Sequence, residues 1–137
     1  MGLEQVVSGS ICEGTLDAIL SHADAAHPNE CCGLLLGEDA KITHAHSTEN
    51  VHPNPATHFE IDPATLIAAY KAERAGGPQL IGYYHSHPNG RAEPSPTDRE
   101  SAAHDGKIWA IVANGHVSFF RDGEEGFEAL SYAVEPR

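Results

Sequence analysis

Gly82-Tyr83-Tyr84-His85-Ser86-His87-Pro88, with the run that follows it to Asp98, is the stretch on which the reading of this chain turns. Leu80-Ile81-Gly82-Tyr83-Tyr84 is short and apolar, as a buried strand is. Alternate residues of a strand share a face, so His85 and His87 are expected to point the same way at its end. Two imidazoles placed so can grip one metal ion. Asn89-Gly90-Arg91-Ala92-Glu93-Pro94 reads as a loop, and Ser95-Pro96-Thr97-Asp98 as a helix start from which Asp98 can swing back as a third ligand. Two histidines and one carboxylate leave a coordination position open, which is what a catalytic zinc needs.

Each part also has an ordinary structural reading. Ser95-Pro96-Thr97-Asp98 fits an N-cap serine, a proline at the first helical position and an acidic residue three on. A His-x-His on a strand is commonly a pair of polar residues facing solvent. The joint occurrence of strand, His-x-His, loop and Ser-x-x-Asp is what points to a site. The two readings of Ser95 coexist, since a capping serine keeps its own proton to donate.

His85-Ser86-His87, seven residues, Ser95, two residues and Asp98 resembles the JAMM (MPN-plus) metalloprotease signature. Asn29-Glu30-Cys31-Cys32-Gly33-Leu34-Leu35-Leu36-Gly37 resembles the setting of that family's upstream glutamate, with Glu30 in the catalytic place. Asn50, Pro53, Phe59 and Ile61-Asp62-Pro63 resemble its middle section. The likeness runs from about Glu30 to Asp98, is closest to the short bacterial members, and lacks no motif residue. It implies a cytidine-deaminase-like α/β fold, with helices packed on a curved mixed sheet. It also implies hydrolysis of an amide or isopeptide bond after the Gly-Gly tail of a ubiquitin-like protein or small sulfur carrier. A silent MPN-type scaffold is the alternative, but such domains lack the ligand set that is complete here.

At 137 residues the chain is expected to be a single domain, residues 1–137, with room for one core. Acidic residues outnumber basic ones 20 to 8, for a net charge of -12. That charge disfavours nucleic acid and anionic membranes as partners and favours a neutral or basic contact surface. No segment approaches the roughly 18 apolar residues that span a bilayer, and the N-terminus has no basic start or long apolar core of a signal peptide. A cytoplasmic location is expected. Cys12, Cys31 and Cys32, an odd number, read as reduced core residues, in keeping with that compartment.

Gln5 to Ile11 reads as a first strand and Gly14 to Ala26 as a helix ended by His27-Pro28. Glu30 to Gly37 reads as a buried central strand opened by Glu30. Lys41 to Ser47 is a further strand carrying a rival pair, His44 and His46. Glu49 is too near to act as Asp98 does, and no loop and helix follow, so the pair reads as surface polar residues. His58 to Ile61 reads as a short strand. Pro63 to Ala75 reads as a helix capped by Asp62 and stopped by Gly76-Gly77-Pro78, with Leu66, Ile67 and Tyr70 as its apolar face. Gln79 to His85 is the histidine-bearing strand, and Thr97 to His104 a short helix. Ile108 to Ala113 and His116 to Arg121 form a hairpin about Asn114-Gly115. Asp122-Gly123 reads as a turn, and Phe127 to Val134 as one last strand.

These residues assemble into a mechanism if the Glu30 strand runs beside the histidine strand. His85, His87 and Asp98 hold one zinc ion per chain. Glu30 takes a proton from water and returns it to the leaving amine, and the Ser95 hydroxyl steadies the oxyanion. A zinc deaminase needs His-x-Glu and Pro-Cys-x-x-Cys, which are missing. A structural zinc site needs four protein ligands, usually rich in cysteine, and the three cysteines lie outside the motif.

Overall fold

The computed structural model of the chain describes residues 7–136. Its elements run β1(Gly9–Cys12), α1(Glu13–Ala26), β2(Cys32–Glu38), β3(Lys41–Thr48), α2(Pro63–Arg74), β4(Gln79–Ser86), α3(Pro96–Ser101), β5(Ile108–Ala113), β6(His116–Gly123), β7(Gly126–Leu130) and β8(Tyr132–Glu135). The strands form one mixed sheet in the order β7-β6-β5-β4-β2-β3-β1-β8. The strand of the two histidines, β4, lies near the middle, antiparallel to β2 and parallel to β5. This is the α/β architecture expected, with three helices among the described residues about a curved sheet.

The central strands β2, β4 and β5 are built around apolar runs. Every residue of β5 is buried, as are Leu80, Gly82, Tyr84, His85 and Ser86 of β4. Helix α1 covers the face formed by Ile11, Leu35, Ile42, Tyr84 and Ala110, setting its buried Ile19 and half-buried Leu16, Leu20 and Ala23 on it. Burying a side chain of this size stabilises the fold by about 1.5–3 kcal/mol. Gly33 is required here: a Cβ would fall inside the Tyr84 ring. Without it the ring lies across β2, and its hydroxyl reaches His22 Nδ1 at 2.8 Å.

The end of the chain departs from the sequence expectation. The stretch expected as a single strand from Phe127 to Val134 is two strands, parted at Ser131. β7 pairs with β6, whereas β8 pairs parallel with β1 at the opposite edge of the sheet. One residue can join opposite edges only if the sheet curls until they meet. The stack of Phe119 on Tyr132, centroids 4.5 Å apart, marks that meeting. Burial alternates strictly in neither strand, and Leu130 and Tyr132 face the core on either side of exposed Ser131, so the local pattern does not say that the two strands go to different edges.

Smaller differences have local causes. The first strand begins at Gly9; Gln5 and Val6 lie outside the described residues, while Val7 and Ser8 precede the strand. Asp122-Gly123 is still strand, and the turn falls on Glu124-Glu125, with Gly126 at φ 116° beyond it. His58 to Glu60 forms no strand; only Ile61 makes a bridge, to Asn50. Helix α3 ends at Ser101, because Ala102 is extended. Helix α2 has the expected Asp62 cap and Pro63 start, yet none of its residues is buried, and Ile67 is 55% exposed. It flanks the sheet rather than covering it. Cys31 and Cys32 are buried and free, and Cys12 is free. No helix among the described residues is long and apolar enough to cross a membrane.

Candidate metal centre

The register of β2 on β4 sets Cys32 opposite His85. Glu30, two residues before Cys32, therefore stands just outside β2, beside the end of the histidine strand. It precedes the strand rather than opening it. Ser86 ties the two together: its N–H donates to the Cys31 carbonyl (3.1 Å), and its hydroxyl accepts from the Cys31 N–H (2.8 Å). Past the end of β4 the ladder continues for one bond, from His87 N–H to the Val112 carbonyl (2.8 Å). Both imidazoles are thus carried on a backbone fixed from two sides.

Asp98 arrives from α3. Its backbone N–H donates to Ser95 Oγ (3.0 Å), and its own carboxylate accepts from the Ser95 N–H (2.9 Å), a complete capping box with Pro96 at the first helical position. The structural reading of Ser95-Pro96-Thr97-Asp98 is therefore correct. It also explains how a six-residue helix can present a carboxylate with a defined direction.

Three side chains converge. His85 Nε2 and His87 Nε2 are 3.0 Å apart, His85 Nε2 is 3.1 Å from Asp98 Oδ1, and His87 Nε2 is 3.1 Å from Asp98 Oδ2. His85 is fully buried, and the side chains of Asp98 and His87 are 4% and 9% exposed. Among the described residues this is the single group of three or more His, Cys, Asp or Glu side chains that could hold a metal ion. The donor chemistry fits a cation. Two ring nitrogens facing each other can share only one proton, while both also face a carboxylate, so lone pairs outnumber protons in a dry spot. Tetrahedral zinc with bonds of about 2.0–2.1 Å separates its ligands by about 3.3 Å, close to the spacing seen.

The protonation pattern follows from burial and from these contacts. Burial pushes the His85 imidazole below its ordinary value, against the pull of Asp98. For His87 burial acts the same way, but the hydrogen bond to Asp98 and that to the Arg91 carbonyl outweigh it and raise the ring. Burial alone would raise the Asp98 carboxyl; the two histidines hold it well below the usual carboxylate range. Glu30 is 7% exposed, and burial pushes its carboxyl up to about 7, with His87 opposing and Asp98 adding to the rise. A carboxylate poised near neutrality in a cleft is suited to moving protons. Glu30, His87 and Ser95 line one cleft of about 380 Å³, walled by Pro88, Gly90 and Pro94.

The rival histidines do not converge on anything comparable. His44 and His46 sit on β3 opposite Leu36 and Leu34, and both are exposed. The double variant His44→Ala, His46→Ala is therefore expected to keep wild-type metal content, measured by elemental analysis; a halved content would mean that this pair also holds metal.

One residue whose part was not legible in the sequence is Asn50. Its side-chain amide donates to the carbonyls of Glu30 (3.0 Å) and His58 (2.9 Å) and accepts from the N–H groups of His52 and Glu60 (both 3.1 Å). With the bond from Glu30 N–H to the Pro55 carbonyl (2.7 Å), it fixes the backbone of Glu30 against the 50–61 loop. An asparagine in a loop is common, and nothing in its sequence neighbourhood states which carbonyls it will meet.

Comparison with known proteins bears on this geometry. Residues 13–123 match the family described as prokaryotic homologs of the JAB domain. The chain is 36% identical over 133 residues to the desampylase of Haloferax volcanii, covering 92% of this chain and 96% of that one. It is 35% identical to a probable TtuB-protein conjugate cleaving protease of Thermus thermophilus, covering 83% and 71%. It is 29% identical to the CysO-cysteine peptidase of Mycobacterium tuberculosis, covering 72% and 68%. Among solved structures, a protein of Desulfitobacterium hafniense superposes with a TM-score of 0.82 at 26% identity, covering 93% of each chain. A JAB1/MPN domain protein of Archaeoglobus fulgidus superposes with a TM-score of 0.63 at 23% identity, covering 93% and 97%, a likeness of fold. Motif, fold and relatives agree, and the chain belongs to the JAMM/MPN-plus family, in its prokaryotic JAB branch, and is a hydrolase.

Proposed function

We propose that this chain is a zinc-dependent peptidase, a single domain over residues 1–137, working in the cytoplasm. It hydrolyses the amide or isopeptide bond after the C-terminal Gly-Gly tail of a small ubiquitin-like or sulfur-carrier protein. The observation that carries the reading is the buried triangle of His85, His87 and Asp98, whose His87 lines the same cleft as Glu30 and Ser95. The names of the relatives support the substrate class: a desampylase, a TtuB-conjugate protease and a CysO-cysteine peptidase.

In this reading His85, His87 and Asp98 hold one zinc ion per chain. A bound zinc ion supplies Lewis-acid polarisation and acidifies water to a pKa of about 7. Glu30 accepts a proton from the attacking water and passes it to the nitrogen of the leaving amine. Its raised affinity for protons, set by burial, suits both halves of that transfer. Ser95 Oγ spends one lone pair on the Asp98 N–H, which leaves its proton free to donate to the oxyanion. Pro88 and Pro94 line the cleft, and a Gly-Gly tail suits it because its backbone can approach the walls closely. With a net charge of -12, the chain favours a carrier whose contact surface is neutral or basic.

The test is elemental analysis of the purified protein beside cleavage of a carrier protein ending in Gly-Gly and joined to a reporter amine. About one zinc per chain is expected, with cleavage abolished by chelation and restored by zinc, and with metal lost from His87→Ala. Full metal retention in His87→Ala would remove the ligand assignment. A wild-type protein that binds zinc yet leaves the reporter intact would remove the substrate.

A further inference from the structure

The two histidines of the metal centre are held in different ways. His87 donates from its outer nitrogen, Nδ1, to the Arg91 carbonyl at 2.7 Å. That is the usual arrangement, in which a carbonyl or carboxylate fixes the tautomer and the tilt of a metal-binding imidazole. The outer nitrogen of His85 is buried and has no hydrogen-bond partner among the described residues. Its ring is instead gripped by aromatic side chains. Phe59 lies flat against one face, with centroids 4.2 Å apart and planes 19° from parallel. Trp109 meets the ring edge-on at 5.6 Å and 87°, and also meets Phe59 edge-on at 5.9 Å. Phe127 backs Trp109 at 4.9 Å.

Phe59 lies outside regular structure, yet its position is not loose. The Asn50 amide holds the carbonyl of His58 and the N–H of Glu60, the residues on either side of it. Val51 N–H donates to the Glu60 carbonyl at 3.0 Å, and Ile61 bridges to Asn50. A single side chain thus brackets Phe59 and, through the Glu30 carbonyl, the proton-transfer residue as well.

We propose that Phe59 is a positioning residue of the metal centre: its ring, set by Asn50, replaces the missing hydrogen bond of His85 and holds that imidazole in the tilt that aims Nε2 at the metal. This rests on the zinc reading above. Offset stacking fixes the plane of a ring while leaving its nitrogens free. It therefore orients His85 without adding a polar partner in the driest part of the site.

The measurement is zinc affinity by competition with a chromophoric chelator, for the full chain and for Phe59→Leu, Phe59→Met and Phe59→Tyr, with the visible spectrum of the cobalt-substituted proteins beside it. Phe59→Leu and Phe59→Met keep apolar bulk and lose the flat face. Each is expected to bind zinc about tenfold more weakly or worse, the usual size for residues that orient a metal ligand. Both are expected to shift the cobalt absorption bands, which a merely structural loss would leave unmoved. Phe59→Tyr keeps the ring and is expected to stay within about twofold of wild type by the same reasoning. Wild-type affinity in either folded aliphatic variant, or an equal loss in Phe59→Tyr, would overturn the role of Phe59 alone. If one aliphatic variant does not fold, the other and Phe59→Tyr still decide. A wild-type protein without zinc affinity would instead overturn the metal centre itself.

Discussion

Glu30→Gln is expected to retain zinc and fold and to lose hydrolysis by about 10²-fold or more, the usual size of general acid–base catalysis. An amide has nearly the shape of the carboxylate and can keep the backbone bonds to Asn50 and Pro55, but it cannot take a proton from water. Steady-state turnover of the Gly-Gly reporter with metal content measured alongside separates this from ligand loss, since Glu30 is not among the converging ligand atoms. Turnover at the wild-type rate would reduce Glu30 to a buried charge at a strand entrance.

The same variant carries a stability signature with a definite sign. Burial raises the Glu30 carboxyl from 4.5 to about 7 in the folded protein. The folded state therefore holds this proton more tightly than the unfolded state does, and stability falls as pH rises through that window. In the metal-stripped protein Glu30→Gln removes this contribution and leaves those of the two histidines and Asp98. Its stability should gain on wild type between about pH 4.5 and 7, by an amount on the order of 3 kcal/mol once the Glu30 carboxyl is ionised in both the folded and the unfolded state. Parallel melting curves across that window would show that Glu30 is not buried as described.

Ser95→Ala is the second variant with a large expected effect, and the capping box makes its reading more exacting. As a cap alone, Ser95 contributes about 1 kcal/mol, which Ser95→Asn or Ser95→Asp would recover. As an oxyanion donor it contributes about 10²-fold in rate. Because Ser95 also aligns Asp98, the loss in Ser95→Ala must be compared with zinc content before it is assigned to the oxyanion. We expect Ser95→Ala to keep its metal and lose about 10²-fold in turnover. Ser95→Asp should regain the melting temperature and remain inactive, because its charge opposes the developing oxyanion. Recovered turnover in Ser95→Asp would leave Ser95 a capping residue only.

The sequence by itself determined the parts of this protein that depend on local pattern. The apolar runs of Leu80–Tyr84 and Ile108–Ala113 read as buried strands and are strands, and strand alternation put His85 and His87 on one face. Ser95 to Asp98 carried its own capping chemistry, so its helix start needed no tertiary help. Tertiary structure decided what joins distant segments. The register of β2 on β4 brings Glu30 to the histidines, and no local periodicity encodes a register between strands more than 40 residues apart. The break at Ser131 was illegible for a related reason. Leu130 and Tyr132 flank it as one alternating strand would place them, and only the curl of the sheet sends β7 and β8 to opposite edges. Asn50 and Phe59 were visible only as members of a familiar stretch. Their work consists of a side-chain amide meeting four backbone groups and a ring lying on His85, contacts that exist only once the 50–61 loop has folded against β4.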